Sequence, residues 1–225
     1  MLEPHKNIFI TGTDTNIGKT IVACSILFKI NQQKRQAIGV KPISTGAKII
    51  NQQYQQQDTL ALQEYSKIPI EHNQSNPWCF EPAISPHIAA NYCKKEIKIA
   101  DVRDHLYVLQ QKYQEYFLLA EGAGGICCPI NNKNTMLDLM QILNWPVIVV
   151  IGLKLGCLNH SILTINRLQQ SGIKIAGWIT TETNPMQAKN ENLQSLKQYI
   201  QAPHLGDIPY LNQLSIKECA KHIKI

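Results

Sequence analysis

The chain has 225 residues, 44% of them hydrophobic and 17% charged, with 22 Lys and Arg against 16 Asp and Glu for a formal charge of +6. That length suits one domain with a sizeable core, and the composition excludes both a disulfide miniprotein and a disordered chain. The positive excess is scattered: even its densest run, Lys217 to Lys224, includes Glu218 and no aromatic residue, so a solvated surface or a site for small anions fits better than a nucleic-acid patch.

Met1-Leu-Glu-Pro-His-Lys6 lacks the apolar core of a secretory signal. The apolar run Pro146 to Gly152 is far shorter than the roughly 18–20 residues of a membrane span. A single soluble, cytoplasmic domain over residues 1–225 is expected, with neither nucleic acid nor membrane as a partner. The seven cysteines (24, 79, 93, 127, 128, 157 and 219) are odd in number and form no C-x-x-C pair. They read as reduced thiols, mostly buried as small apolar residues.

In chain order, Lys6 to Thr11 is a short apolar strand that runs into a Gly/Thr/Asp turn. Gly18 to about Gln33 has helical spacing, with Ile21, Ser25 and Phe28 beside Ile17, Cys24 and Leu27. Further strands are expected at Ala37–Val40, Tyr116–Ala120, Val147–Ile151 and Ile175–Thr180, with helices at 101–114, 135–143, 158–171 and 187–200. Val147–Ile151 is apolar throughout, as in a parallel strand buried on both faces. The final ordered element is expected to be a short strand near His204-Leu205 that ends at Gly206-Asp-Ile-Pro209. Asn51 to Gln57 reads as a polar loop. This alternation predicts an α/β fold: a doubly wound, mainly parallel sheet with helices on both faces.

Ligands of such sheets bind outside the carboxyl ends of the strands. After the first strand comes Gly12-Thr-Asp-Thr-Asn-Ile-Gly-Lys-Thr20, a phosphate-loop pattern between a strand and a helix. Its backbone N–H groups and the helix N-terminus face phosphates, Lys19 supplies a cation, and the Thr20 hydroxyl can ligate Mg²⁺. The consensus has four residues between its glycines, whereas five separate Gly12 from Gly18. Lys41, before Pro42, reads either as a surface lysine or as a cation over the same edge. Asp58 is either a helix N-cap or a ligand. Glu121, ahead of Gly122-Ala123-Gly124-Gly125, stands where a second magnesium contact belongs. Thr20, Asp58 and Glu121 thus offer three hard oxygens, and Lys19 and Lys41 two cations for a phosphoryl group. No Ser/His/Asp order, paired Cys and His, or general base is evident. His87, His160 and His204 read as structural or solvated.

Together with Lys41-Pro-x-x-Thr-Gly46, Asp58-x-Leu-Ala-Leu, Ser85-Pro-His87 and Lys154-Leu-Gly-Cys-Leu-Asn-His160, these motifs resemble the dethiobiotin synthetase family, in its order and spacing and over nearly the whole chain. The resemblance implies ATP-dependent carboxylation and ring closure of 7,8-diaminononanoate with CO₂ or bicarbonate, with Mg²⁺, in biotin synthesis. Substrate supplies the nucleophile, so the protein positions groups and neutralises charge. Lys19 and Lys41 are the implied catalytic cations, and Thr20, Asp58 and Glu121 the metal ligands. Asn16, Ile17, Gly18, Ile21, Gly122, Ala123 and Gly124 are implied at the nucleotide, along with Thr181, Glu182, Pro209, Tyr210 and Leu211. Thr15 and Thr45 are implied at the diamine–carbamate end. Leu155, Gly156, Cys157 and Asn159 are implied to hold the substrate carboxylate across a homodimer.

Two departures are visible. Thr181-Glu182 stands where the family usually has Asn-Asp, and Asn212-Gln213 is neutral where it often has an acid. Weaker base discrimination is expected, with other nucleoside triphosphates accepted beside ATP. A partitioning-type ATPase shares the first motif, but Thr13-Asp14-Thr15 lacks the extra lysine of that group. A glutamine-dependent ligase would need a glutaminase domain for which no room remains.

Overall fold

The computed structural model describes residues 5–50 and 53–225. Asn51 and Gln52 of the expected polar loop, and Met1 to Pro4 of the N-terminus, lie outside the described residues. The first half of the chain runs β1 (Asn7–Gly12), α1 (Lys19–Asn31), β2 (Ala37–Val40), β3 (Ile43–Thr45), β4 (Lys48–Ile50), β5 (Gln53–Gln55), α2 (Gln57–Tyr65), α3 (His72–Ser75), β6 (Trp78–Phe80) and α4 (Pro86–Tyr92). The second half runs α5 (Ile99–Lys112), β7 (Phe117–Glu121), α6 (Met136–Leu143), β8 (Val147–Gly152), α7 (Cys157–Gln170), β9 (Ile175–Thr181), α8 (Lys189–Tyr199), β10 (His204–Ile208) and α9 (Ile216–Lys221).

Six of the strands form one sheet in the order β10-β9-β8-β1-β7-β2, and every neighbouring pair is parallel. The chain moves outward from β1 to β2, returns to insert β7, then builds β8, β9 and β10 on the other side. The strand order therefore reverses at β1, which makes its carboxyl end the crevice of a doubly wound sheet.

Side chains of successive strand residues point to opposite faces, and the core divides accordingly. Ile8 and Ile10 of β1 join Ile148 and Val150 of β8 in one cluster, covered by α1, Leu62 of α2 and Cys219 of α9. Phe9, Val147, Val149 and Ile151 join the other, covered by residues of α5, α6, α7 and α8. The unbroken apolar run of β8 is buried on both faces, as a central parallel strand requires. α1 buries Val22, Ala23, Cys24, Ser25, Ile26, Leu27 and Ile30. A helix this apolar on most sides is enclosed between the sheet and other helices, and α2 and α9 both pack on it.

Several sequence expectations need correction. The final ordered element is the helix α9, packed on α1, not the strand near His204. Within the expected polar loop before Asp58, Gln53–Gln55 is a strand, β5, which pairs antiparallel with β4, Lys48 opposite Gln55. β3 and β6 form an additional two-stranded parallel pair, Ile43 opposite Trp78. Strands of three residues carry too little periodicity to be read from sequence. The cysteines are all free, but only Cys24, Cys157 and Cys219 are buried; Cys79 and Cys128 are half-buried, and Cys93 and Cys127 are exposed. Among the described residues, no helix is long and apolar enough to cross a membrane.

Candidate active site

The residues singled out after separate strands meet at the carboxyl end of the sheet. β1 ends at Gly12, and the loop after it is tied down by Thr13 N–H, which donates to the Val150 carbonyl at 3.0 Å. Asn16 (φ 55°) and Gly18 (φ 82°) take left-handed conformations that curl the loop into the start of α1. Gly18 is the N-cap, with no side-chain cap, so the first N–H groups of α1 remain directed at the cleft. Ile17 turns inward at 3% exposure; its side chain fills the space beside Gly12 and Gly152, where a Cβ would lie within 2.7 and 2.5 Å of it. A larger residue at either glycine would push the phosphate loop off the sheet.

Lys19 is buried and bends back over the loop, donating from Nζ to the Asp14 carbonyl at 2.7 Å. Burial pulls its pKa down to about 8, with the Glu121 carboxylate acting against that shift. The Asp14 carboxylate in turn accepts from Thr15 N–H at 2.7 Å and pairs with Lys154 Nζ at 2.5 Å. The segment after β8 is thereby latched to the phosphate loop.

Lys41 stands one residue beyond β2, and Glu121 is the last residue of β7. The Lys41 ammonium lies between two carboxylates, 2.5 Å from Asp58 Oδ2 and 2.7 Å from Glu121 Oε1. Glu121 Oε1 also accepts from Thr20 Oγ1 at 2.9 Å. Burial acts to lower the Lys41 pKa, but Glu121 and Asp58 outweigh it and hold the value above that of an ordinary lysine. Burial acts to raise the Asp58 pKa; the Lys41 charge beside it prevails and keeps it below the usual carboxylate range. Glu121 Oε2 is buried without a hydrogen-bond partner. A buried carboxylate oxygen left bare is costly unless something else fills its coordination.

These groups line a cleft of about 760 Å³. It brings together Thr15, Asn16, Gly18, Lys19, Thr20 and Ile21 of the first motif with Lys41, Thr45, Asp58, Glu121, Ala123 and Gly124. Gly122 lies beneath, against the Phe9 ring. Thr181 is beside the cleft but turned away: it is 2% exposed, and its hydroxyl donates to the Ile17 carbonyl at 2.5 Å. Glu182 pairs with Lys189 at 2.7 Å and accepts from Met186 N–H at 3.0 Å. It also accepts from Tyr210 N–H at 3.4 Å, which ties Pro209-Tyr210-Leu211 to the same corner. The Lys154–His160 segment does not line the cleft. Leu155 is 97% exposed, Gly156 caps α7 at φ 89°, Asn159 is exposed and only Cys157 is buried.

Sequence reasoning missed several contributors. Gln56, not Asp58, caps α2, accepting from the N–H groups of Asp58 and Thr59, and its amide also donates to Asp58 Oδ2 at 3.0 Å. Glutamine is not a usual N-cap, so nothing in the polar run marked it. Ser44, Cys128 and Thr183 also reach the cleft, as does Ala83-Ile84-Ser85-Pro86. For the last segment, Ser85-Pro-His87 was a signal without a role.

The AAA domain family profile matches residues 6–218. The chain is 37% identical over 208 residues to the ATP-dependent dethiobiotin synthetase BioD of Aeromonas hydrophila, covering 92% of both chains. It is 37% identical to that of Cellvibrio japonicus, covering 98% of this chain and 96% of the relative, and 40% identical to that of Pseudoalteromonas translucida, covering 92% of both. Among solved structures, the MinC:MinD cell division complex of Aquifex aeolicus superposes with a TM-score of 0.56 at 12% identity, over 96% of this chain and 86% of that one. A ParA family ATPase of Chlorobium tepidum gives 0.56 at 14% identity, over 96% and 90%. Those two likenesses concern the fold alone. Close relatives along nearly the whole length, together with the strand-end lysines and carboxylates, place this chain in the ATP-dependent dethiobiotin synthetase family.

Proposed function

We propose that the protein is a single-domain cytoplasmic enzyme that closes 7,8-diaminononanoate and CO₂ into dethiobiotin, using ATP and Mg²⁺. The observation that carries this reading is the cluster of Lys41, Glu121, Asp58 and Thr20 beside the phosphate loop, with Glu121 Oε2 left bare. Charge neutralisation and positioning are what such a cluster offers, and they suffice when substrate provides the nucleophile.

One amine adds to CO₂, giving a carbamate and releasing a proton. A carbamate oxygen attacks the γ-phosphorus of ATP, the bond to the bridging oxygen breaks, and ADP leaves. The second amine attacks the carbamoyl carbon; the C–O bond to phosphate breaks, the urea ring closes, and phosphate and the amine's proton depart. Lys19 and the N–H groups from Asn16 to Ile21 hold the phosphates, with Gly122, Ala123 and Gly124 allowing close approach. Lys41 neutralises the carbamate and the phosphoryl group in flight. Thr15 and Thr45 orient the diamine end. Magnesium fits the donor set: Glu121, Asp58 and Thr20 would hold it through hard oxygens, leaving room for water and phosphate. Bound there, it supplies further neutralisation of phosphate charge.

The direct test mixes protein, 7,8-diaminononanoate, bicarbonate and MgATP and measures dethiobiotin by mass spectrometry. Absence of product rejects the reading.

Base recognition is expected to be loose. Thr181 spends its hydroxyl on Ile17, and the Glu182 carboxylate is engaged by Lys189 and two backbone N–H groups. Neither presents a paired donor and acceptor to a base edge. Competition among ATP, GTP and CTP in turnover should show a preference for ATP below about 100-fold, since discrimination of that size needs a dedicated hydrogen-bonding pair. A larger preference would end this part of the reading.

The segment of Leu155, Gly156, Cys157 and Asn159, exposed except for Cys157, is assigned to the substrate carboxylate of a neighbouring subunit in a homodimer. Gly156 has φ 89°, which a β-branched residue cannot adopt without strain. Gly156→Val and Lys41→Ala should each be inactive alone. Mixed and allowed to exchange subunits, they should recover about a quarter of the parent activity per site, because one of the two sites in each mixed dimer is intact. No recovery after verified exchange would put the whole site within one chain.

A further inference from the structure

Lys41 and Thr45 belong to one short piece of chain that leaves the main sheet after β2. Pro42 has no N–H, so the β2 ladder cannot continue there, and something else must define where this piece sits. Asn76 does so from behind. It is 2% exposed and does not line the cleft. Its Nδ2 donates to the Lys41 carbonyl at 2.6 Å and approaches the Pro42 carbonyl at 3.4 Å. Its Oδ1 accepts from Ser44 Oγ at 2.7 Å. A single buried amide therefore grips residues 41, 42 and 44. Backbone bonds run alongside: Lys41 N–H donates to the Ser75 carbonyl and Trp78 N–H to the Pro42 carbonyl, each at 3.0 Å.

The amide is itself held by its surroundings. Asn76 N–H donates to the His72 carbonyl at 2.8 Å, capping α3. α2 reaches that turn through Gln63 Nε2, 3.0 Å from Ser75 Oγ, and α5 reaches it through His105 Nε2, 2.7 Å from the Gln74 carbonyl. Asparagine alone among similar-sized residues offers donors to two carbonyls and an acceptor to a hydroxyl in one plane. Aspartate would set an oxygen against the Lys41 and Pro42 carbonyls, and an apolar residue would strand both the Lys41 carbonyl and the Ser44 hydroxyl.

We infer that Asn76 is a positioning residue of the reaction, acting through the Lys41–Thr45 backbone to set the Lys41 ammonium against Glu121 and Asp58. The inference rests on the assignment of Lys41 to the carbamate and phosphoryl group. The phosphate loop and Lys19 lie on β1 and α1, which Asn76 does not touch, so nucleotide affinity and turnover should separate.

The test measures kcat for dethiobiotin and the Kd of a fluorescent ATP analogue for the parent, Asn76→Asp and Ser44→Ala, each corrected for folded fraction by circular dichroism. Asn76→Asp should lower kcat about 30- to 100-fold, the cost of an ångström-scale misplacement, with Kd within twofold of the parent. Ser44→Ala, which loses one of the three contacts, should lower kcat at least threefold with Kd likewise unchanged. A kcat within threefold of the parent for Asn76→Asp overturns the inference, as does a parallel loss of kcat and nucleotide affinity. Should Asn76→Asp fail to fold, Ser44→Ala decides by the same criterion. A parent without turnover would instead overturn the functional assignment itself, and this inference with it.

Discussion

Replacing Lys41 with methionine is expected to abolish turnover and to destabilise the protein together. Its ammonium is the cation between Asp58 and Glu121, 2.7 Å from a Glu121 carboxylate that is 1% exposed. Removing one partner of a buried pair leaves an uncompensated charge and costs about 3–5 kcal/mol. The cluster also loses the group assigned to the developing charge on carbamate and phosphoryl oxygens, so dethiobiotin formation should fall by at least about 1,000-fold. Urea denaturation and a product assay read the two effects separately. The double substitution Lys41→Met with Glu121→Gln should recover most of the stability and none of the activity, because it removes the orphaned charge but not the need for a cation. A Lys41→Met protein as stable as the parent would show that the pair contributes nothing to the fold. One retaining a tenth of the parent's turnover would remove Lys41 from the chemistry.

The second large effect is that of Glu121→Gln, and its signature is the reverse. Glutamine keeps the shape and still accepts from Thr20 Oγ1, now 2.9 Å from Glu121 Oε1. Lys41 retains Asp58 at 2.5 Å. The stability loss should therefore stay near 1 kcal/mol, that of a single weakened hydrogen bond. The proposed magnesium site fares worse, because Oε2, the buried oxygen without a partner, is replaced by or mixed with an amide N–H₂ that repels a cation. Mn²⁺ affinity, followed by electron paramagnetic resonance, should drop by at least about tenfold, the scale of losing a ligand's support. Turnover with MgATP should drop about 100- to 1,000-fold. Unchanged Mn²⁺ binding would mean that Glu121 serves only as the counter-ion of Lys41.

These two substitutions differ because Lys41 and Glu121, 80 residues apart in sequence, do different things for the fold while sharing one bond. Nothing in the chain order states that difference. Lys41 before a proline also fits a surface lysine, and Asp58 taken alone fits a helix cap better than a ligand. Burial separated the readings. Gln56 took the cap, which freed the Asp58 carboxylate for Lys41. The Thr181-Glu182 departure was visible as a mismatch, yet only the structure showed the Thr181 hydroxyl spent on Ile17.

What the sequence by itself determined is whatever is written in contiguous residues. The apolar run of β8 announced a parallel strand buried on both faces, because such a strand is apolar at nearly every position, and shorter apolar runs marked β1, β7 and β9 as strands. Gly12 to Thr20 announced a phosphate loop, because its turn needs glycine and its cation and hydroxyl must follow directly. Tertiary structure alone decided the rest. The β3–β6 and β4–β5 pairs owe their existence to cross-strand partners, not to periodicity. The placement of Lys41 depends on Asn76, 35 residues away, a buried polar side chain whose meaning lies wholly in the three groups it satisfies. Hydrophobic pattern is local and repeats, so it can be read along the chain. Hydrogen-bond satisfaction in a buried site is a closed account among residues from many elements, and it exists only once the chain has folded.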